Sequence, residues 1–418
     1  MRKYLLLLSV LIACLLSVSA QQPFRTKIFN ANIKTLQVEL ANTKLSLPIM
    51  ELNSQDLIQI GFDEMSHGNH SYSYKVIHCN ADWTPSGLNS NEFLSGFSSG
   101  NITDYHQSLN TTYLYTHYAF QVPNSEMRFK LSGNYVVTIY EDNNTDNPIA
   151  HACFSIVESK VNITGTIRGN TDTELSGRKQ QLDFEVLING YQVRDASSEI
   201  KVVVRQNNRI DNQLTDLQPT YLSNSKLSFI NNKALIFDGG NEYHHFDISS
   251  VYAAGEGVAN VQFTKPYYDV TLYDNKIQKT RIYSTNPDAN GKFVINVQNN
   301  QQNDDYEADY MFVHFNLPTP PFFDGQLYLG GEFNYNQMND AVRLKYDNKA
   351  ESYNQTVLLK QGGYNYQYWF VQKGEQKASP ERVEGSFWQT NNDYTVYVYH
   401  RPWGERYDKL VGVKTISN

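Results

Sequence analysis

The sequence predicts an all-β protein of three tandem antiparallel β-sandwich modules, and three observations predict it. Apolar residues alternate with polar ones along many short runs, which puts one face of each run in a core and the other in water. No window of a dozen residues carries apolar positions at three-and-four spacing, so the helices that flank the parallel sheets of α/β enzymes are not expected. Turn-forming residues separate the runs, and 30 Tyr within a 13% aromatic content supply bulky side chains that pack across a sandwich.

At the N-terminus, Arg2 and Lys3 precede an apolar stretch from Tyr4 to Leu16 and a small-residue exit, Ser17, Val18, Ser19 and Ala20. This is the pattern of a secretory signal peptide, residues 1–20, with cleavage after Ala20 and an apolar region too short to span a membrane. Leu11, Ile12, Ala13 and Cys14 loosely resemble a lipoprotein box, yet apolar Leu15 and Leu16 follow where a lipidated tether continues into polar sequence. Beyond residue 20 no segment is long and apolar enough for a membrane helix, and the mean hydropathy is −0.52. The formal charge of −8, made more negative by loss of Arg2 and Lys3, argues against a nucleic-acid partner. Of the 3 cysteines, Cys79 and Cys153 lie outside the leader. Export permits a disulfide between them, with two buried free thiols as the alternative.

The first alternating run is Leu36, Val38 and Leu40. Gly96 to Gly100 fits the pattern G-x-S-x-G, but Ser, Gly and Asn surround it and no helix pattern follows, so it reads as a loop and not a nucleophile elbow. A strand from Tyr135 to Tyr140 ends in the turn Glu141 to Pro148. The polar stretch Glu158 to Val161 then marks a boundary, which gives a first module of 21–158. In the second, 159–303, Leu182, Phe184, Val186 and Ile188 alternate with Asp183 and Glu185, Asn189-Gly190 turns the chain, and Ile200, Val202 and Val204 form another strand. His244 and His245 stand beside Glu242 and Asp247. Adjacent strand residues point to opposite faces, so only one histidine and one carboxylate converge, fewer than the three ligands of a zinc site, and no metal is expected.

Gly255 and Gly257 lack a third glycine and a leading parallel strand, so no dinucleotide site is expected. Asn286, Asp288, Asn290 and Gly291 echo a calcium loop, but Val297 stands where its bidentate glutamate belongs. Phe293, Ile295 and Val297 instead follow an Asn-Gly hairpin. The polar run Asn299 to Asp305 marks the second boundary. The third module, 304–418, carries the strands Met311, Val313, Phe315, Leu317 and Tyr394, Val396, Val398, with a Gly362-Gly363 connection. Nowhere do a nucleophile, a base and an orienting group assemble, so neither catalytic residues nor a cofactor are expected.

The segment Tyr74 to Ser86, YKVIHCNADWTPS, resembles the N-terminal domain of the type IX secretion system plug protein family of Bacteroidetes. So do YTHYAFQVPN at Tyr115 to Asn124 and SGNYVVTIYEDN at Ser132 to Asn143. The segment from Asn170 to Tyr191, NPDANGKFVI at Asn286 to Ile295, and DYMFVHFNLP with LYLGGEFN between Asp309 and Asn334 are similar to its middle and C-terminal parts. The resemblance implies a non-enzymatic periplasmic protein, peripheral to the outer membrane, that binds the giant translocon barrel and closes it when no cargo is engaged. His78, Cys79, Asp82, Trp83 and Pro85 carry the most specific segment. They are expected to be structural, with Trp83 buried in the first module.

A second resemblance offers an alternative. LYLGGEFN and YNYQYWFV at Tyr364 to Val371 are similar to early-set sandwiches, immunoglobulin-like modules that precede starch-active enzymes, which implies a carbohydrate-binding envelope protein. Trp369 and Phe370 are adjacent in a strand, so their rings face opposite ways and cannot make one platform for a sugar.

Overall fold

The structure, a computed structural model, describes residues 22–298 and 304–418. The expected leader, its cleavage after Ala20, the box at Cys14 and residues 299–303 of the second polar run lie outside the described residues. The chain is nearly all β, and the described α-helices, such as Ser90–Phe93 and Glu381–Glu384, are single turns of 4 residues. The alternating runs form strands: Ile33–Leu40, Lys179–Leu187, Ile200–Gln206, Tyr310–Pro318 and Asp393–His400.

Two facing sheets make the first module. One contains Tyr72–Cys79, Gly133–Glu141 and Pro148–Val157 in antiparallel register. The other contains Ile33–Leu40, Ile58–Glu64 and Thr116–Val122. Tyr135, Val137 and Ile139 point between the sheets and join Phe62, Tyr118 and Phe154 in one core. Each such side chain contributes about 1.5–3 kcal/mol by leaving water. Val136 points the other way and is also buried, with Cys79, Cys153 and the partly buried Trp83. This strand is thus covered on both faces, because other parts of the chain pack on the outside of its sheet.

The second module draws its two sheets from distant parts of the sequence. Asn162–Arg168 and Lys179–Leu187 pair in one sheet. In the other, Ile200–Gln206 pairs with Asp393–His400, which pairs with Lys409–Ser417. Leu182, Phe184 and Val186 meet Val202, Val204, Tyr394, Val396 and Val398 in a single core. The expected division into 159–303 and 304–418 is therefore corrected: the C-terminal strands complete the second module, and the third is inserted between Ile236–Asp238 and Asp393–His400. The polar run near residue 300 does not separate two modules, since Ile295 before it and Met311 after it share one core. Alternation specifies which face a strand buries and leaves open which strand lies beside it.

The third module packs the sheet of Val258–Thr264, Tyr267–Leu272, Tyr310–Pro318, Ser352–Lys360 and Lys345–Asp347 on a second sheet. That second sheet is built round Gly362–Gln372, with His244–Asp247, Phe293–Ile295 and Gly325–Gly330 as its partners. Glu141 to Pro148 closes a paired hairpin. Gly362-Gly363 instead carries the chain from one sheet to the other, and a Cβ on Gly362 would lie 2.0 Å from the Val294 carbonyl oxygen. Asn189-Gly190 likewise leads from one sheet of the second module to the other. The hairpin expected at Asn290-Gly291 is also corrected. Both residues hold left-handed φ, 53° and 86°, but Phe293–Ile295 finds its partner in Gly362–Gln372.

Candidate functional site

The segment His78 to Pro85 is a tight turn at the end of strand Tyr72–Cys79. Asn80 N donates to Thr84 O at 2.8 Å, and Trp83 N to Asn80 O at 2.9 Å. The Asp82 carboxylate accepts from Thr84 N and Oγ1 at 3.0 and 2.6 Å. Pro85 bridges to Cys79. His78 is buried between the rings of Tyr135 and Tyr407, with Nε2 at 3.2 Å from the Ser132 carbonyl oxygen. Burial lowers its pKa to about 4 and keeps the ring neutral. Gly133 makes room for it, since a Cβ there would lie 2.5 Å from Nε2.

One expectation for this segment is corrected, and of the two readings open for the cysteines the bridged one is not formed. Trp83 is half-buried, not a core residue: its φ of 65° turns it out of the sheet, and its ring lies under the Arg205 guanidinium of the second module, 5.9 Å away. Cys79 and Cys153 are free thiols. Cys79 pairs with Asn134 and Cys153 with Val136, on strands either side of Gly133–Glu141. That places their Cα atoms about 10 Å apart or more, too far for a bridge. Burial pushes the Cys153 thiol up to about 12 and Cys79 upward too.

The turn docks the first module on the second. Ala81 N donates to Asp408 Oδ2 at 3.0 Å, and Arg401 Nη2 donates to Asn80 Oδ1 at 2.9 Å. Asp408, 1% exposed, also holds Arg401 Nε at 2.8 Å and Lys201 Nζ at 3.1 Å. Burial raises its carboxyl, but Arg401, the Ala81 amide and Lys201 outweigh that and hold it below the usual range.

A second tie joins the first module to the third. Asp63 accepts from Lys360 Nζ at 2.5 Å and Tyr310 Oη at 2.6 Å, and pairs with His117 Nδ1 at 2.7 Å. Neither Asp63 nor Lys360 exposes more than 1% of its side chain. Nothing in the sequence singled out these residues or Asp408, because their partners in the other modules lie hundreds of positions away. The available signal was a charge directly after apolar residues at a strand end, as in Leu358-Leu359-Lys360.

Where the three modules meet, a cavity of about 160 Å³ is lined by Trp83, Arg205, Phe293, Glu332, Tyr335 and Tyr397, among others. Glu332 lies in the LYLGGEFN segment and Tyr335 directly follows it, so two family-like motifs converge here. Other sequence candidates are structural. Gly96, at φ 95°, ends a short strand, and Ser99–Ile102 follows as another strand without a helix. His244 pairs with Glu384 at 3.0 Å and His245 with Asn365 at 3.1 Å, so the two rings engage different partners. Asp288 accepts from Asn290 N at 2.7 Å, and burial lifts its pKa to about 6. Trp369 is 0% exposed and Phe370 4%, so neither ring is open to a sugar. The open apolar side chains are elsewhere: Ile282 at 95%, Phe323 at 91%, Tyr252 at 86%, Trp403 at 82% and Leu175 at 80%.

Among the described residues no helix is long and apolar enough to cross a membrane. The crystal structure of a hypothetical protein from Parabacteroides merdae ATCC 43184 superposes with a TM-score of 0.93 at 39% identity, covering 95% of this chain and 100% of that one. The B domain of a biofilm-associated protein (8% identity, 93% of this chain and 86% of that one, TM-score 0.17) superposes too poorly to carry an argument. The same holds for a collagen adhesin from S. aureus (7% identity, 93% of each chain, TM-score 0.11). No curated protein matches the chain. The family model for the type 9 secretion system plug protein first domain matches residues 33–158, the segment that holds the docking turn and Asp63. The chain belongs to the type IX secretion system plug protein family.

Proposed function

We propose that this protein is a non-enzymatic periplasmic plug that binds the outer-membrane barrel of the type IX translocon and seals its pore when no cargo is engaged. Family membership through residues 33–158 carries the reading. Physics makes the role reasonable. Barrels of on the order of 36 strands enclose a water-filled lumen that must be blocked when idle. A blocking body has to resist deformation, and the buried ties at Asp63 and Asp408 lock the modules to one another. It also needs surface to offer a rim, which exposed Ile282, Phe323 and Trp403 supply. A large contact of modest affinity lets cargo displace it. The test is affinity capture from detergent-solubilised envelopes. Recovery of one giant barrel protein supports the reading, and its absence from a capture that retains intact bait contradicts it.

A further inference from the structure

The cavity between the three modules contains a buried cation, Arg205, that no carboxylate among the described residues pairs directly. Arg205 is 8% exposed, and among the described residues it forms no ion pair. Its Nε donates to Gln213 Oε1 at 3.1 Å. Its guanidinium carbon lies 5.3 Å from the ring centroid of Tyr397 and 5.9 Å from that of Trp83. Burial strips a guanidinium of water, and aromatic faces return only part of that loss. A carboxylate meeting the fork of N–H donors with two parallel bonds returns the rest. Neither carboxylate that lines the cavity pairs with Arg205: Glu332 accepts from Asn208 Nδ2 at 3.1 Å, Glu39 is met by Lys44 and the Leu45 backbone, and burial raises both carboxyls.

The backbone around the cavity supplies a second, independent observation. Leu45 and Trp83 of the first module, Asn208 of the second, and Tyr335 and Asn336 of the third line it. Their φ values are 64°, 65°, 54°, 59° and 53°. Left-handed conformations at non-glycine residues persist where the surroundings fix them, and they cluster at ligand clamps.

We propose that this junction cavity binds a carboxylate on a short apolar stem, held by Arg205 beside Trp83 and Tyr397. About 160 Å³ is room for about five waters or a group of a few heavy atoms. Phe24, Ile49 and Phe293 line the same cavity and offer apolar surface to the stem. The carboxylate comes from a free small molecule or from the C-terminus of a peptide chain. The inference does not rest on the plug reading.

The full chain is titrated with butyrate and with the peptide acetyl-Gly-Gly-Leu carrying a free C-terminus, with heat of binding and Tm as readouts. Butyramide and the amidated peptide are the controls. The expected result is saturable binding of at least one acid, weakened about tenfold or more both by its amide and by Arg205→Lys, which keeps the charge and loses the fork. Binding of butyrate alone assigns a small-molecule source, and binding of the peptide alone assigns a chain terminus. Equal binding of acid and amide, or no saturable binding of either acid, overturns the proposal, and the amide comparison decides it even where Arg205→Lys does not fold.

Discussion

Lys360→Met removes the cation from the buried tie between the first and third modules while keeping a long apolar stem in its place. Lys360 and Asp63 are 2.5 Å apart and 1% exposed. Asp63 retains His117 at 2.7 Å and Tyr310 at 2.6 Å but loses its principal counter-charge. Removing one member of a buried pair costs about 3–5 kcal/mol, because the survivor stays desolvated. The pH dependence has a definite sign. Burial pushes the Asp63 carboxyl up from 3.8, and Lys360 followed by His117 outweighs it and holds the group low. In the parent this stability is present above pH 3.8 and lost as pH falls through the lower folded value. In the variant burial prevails, so the folded value rises, Asp63 takes up a proton on mild acidification, and the deficit shrinks as pH falls below 7. Urea denaturation at pH 7 and pH 4.5 measures both effects. Asp63→Asn combined with Lys360→Met should recover most of the loss, since it removes the stranded charge. A variant within about 1 kcal/mol of the parent at pH 7, or one with an equal deficit at both pH values, would refute this reasoning.

Two further outcomes follow from the docking turn and its surroundings. Thiol reagents at pH 8 should leave native Cys79 and Cys153 unreacted and label both on unfolding, because both are buried and their pKa values are raised; an oxidised pair in the denatured chain would contradict this. At position 83 the usual order of small residues should invert. Trp83→Gly is expected to be more stable than Trp83→Ala by about 1 kcal/mol, because φ is 65° and glycine alone tolerates it without strain; denaturant midpoints measure the difference, and alanine matching or exceeding glycine would rule out the strained turn.

The strands were legible because period-two patterns are local: Leu182, Phe184 and Val186 carry their own evidence of one buried face. Strand order was not legible. Val396 and Val398 announce a strand, but their place beside Val202 and Val204 depends on an insertion that no local pattern encodes. The polar run near residue 300 was mistaken for a boundary because polar, Asn- and Gln-rich residues occur within modules as well as between them. His78 lies between the rings of Tyr135 and Tyr407, the second of which is 329 positions away and carries no local signal. Trp83 carried a strong family signal, yet its position depends on Arg205, more than a hundred residues away. The tie at Asp63 was invisible for the same reason: a lone aspartate in a strand has no partner until the fold brings Lys360 to it.

Plugging is read from the ionic current through the purified translocon barrel in a planar bilayer, recorded before and after this chain is added on the periplasmic side. The large open-pore current should collapse on addition and return when the chain is washed out. A current that stays unchanged while the chain is demonstrably bound to the barrel would contradict it.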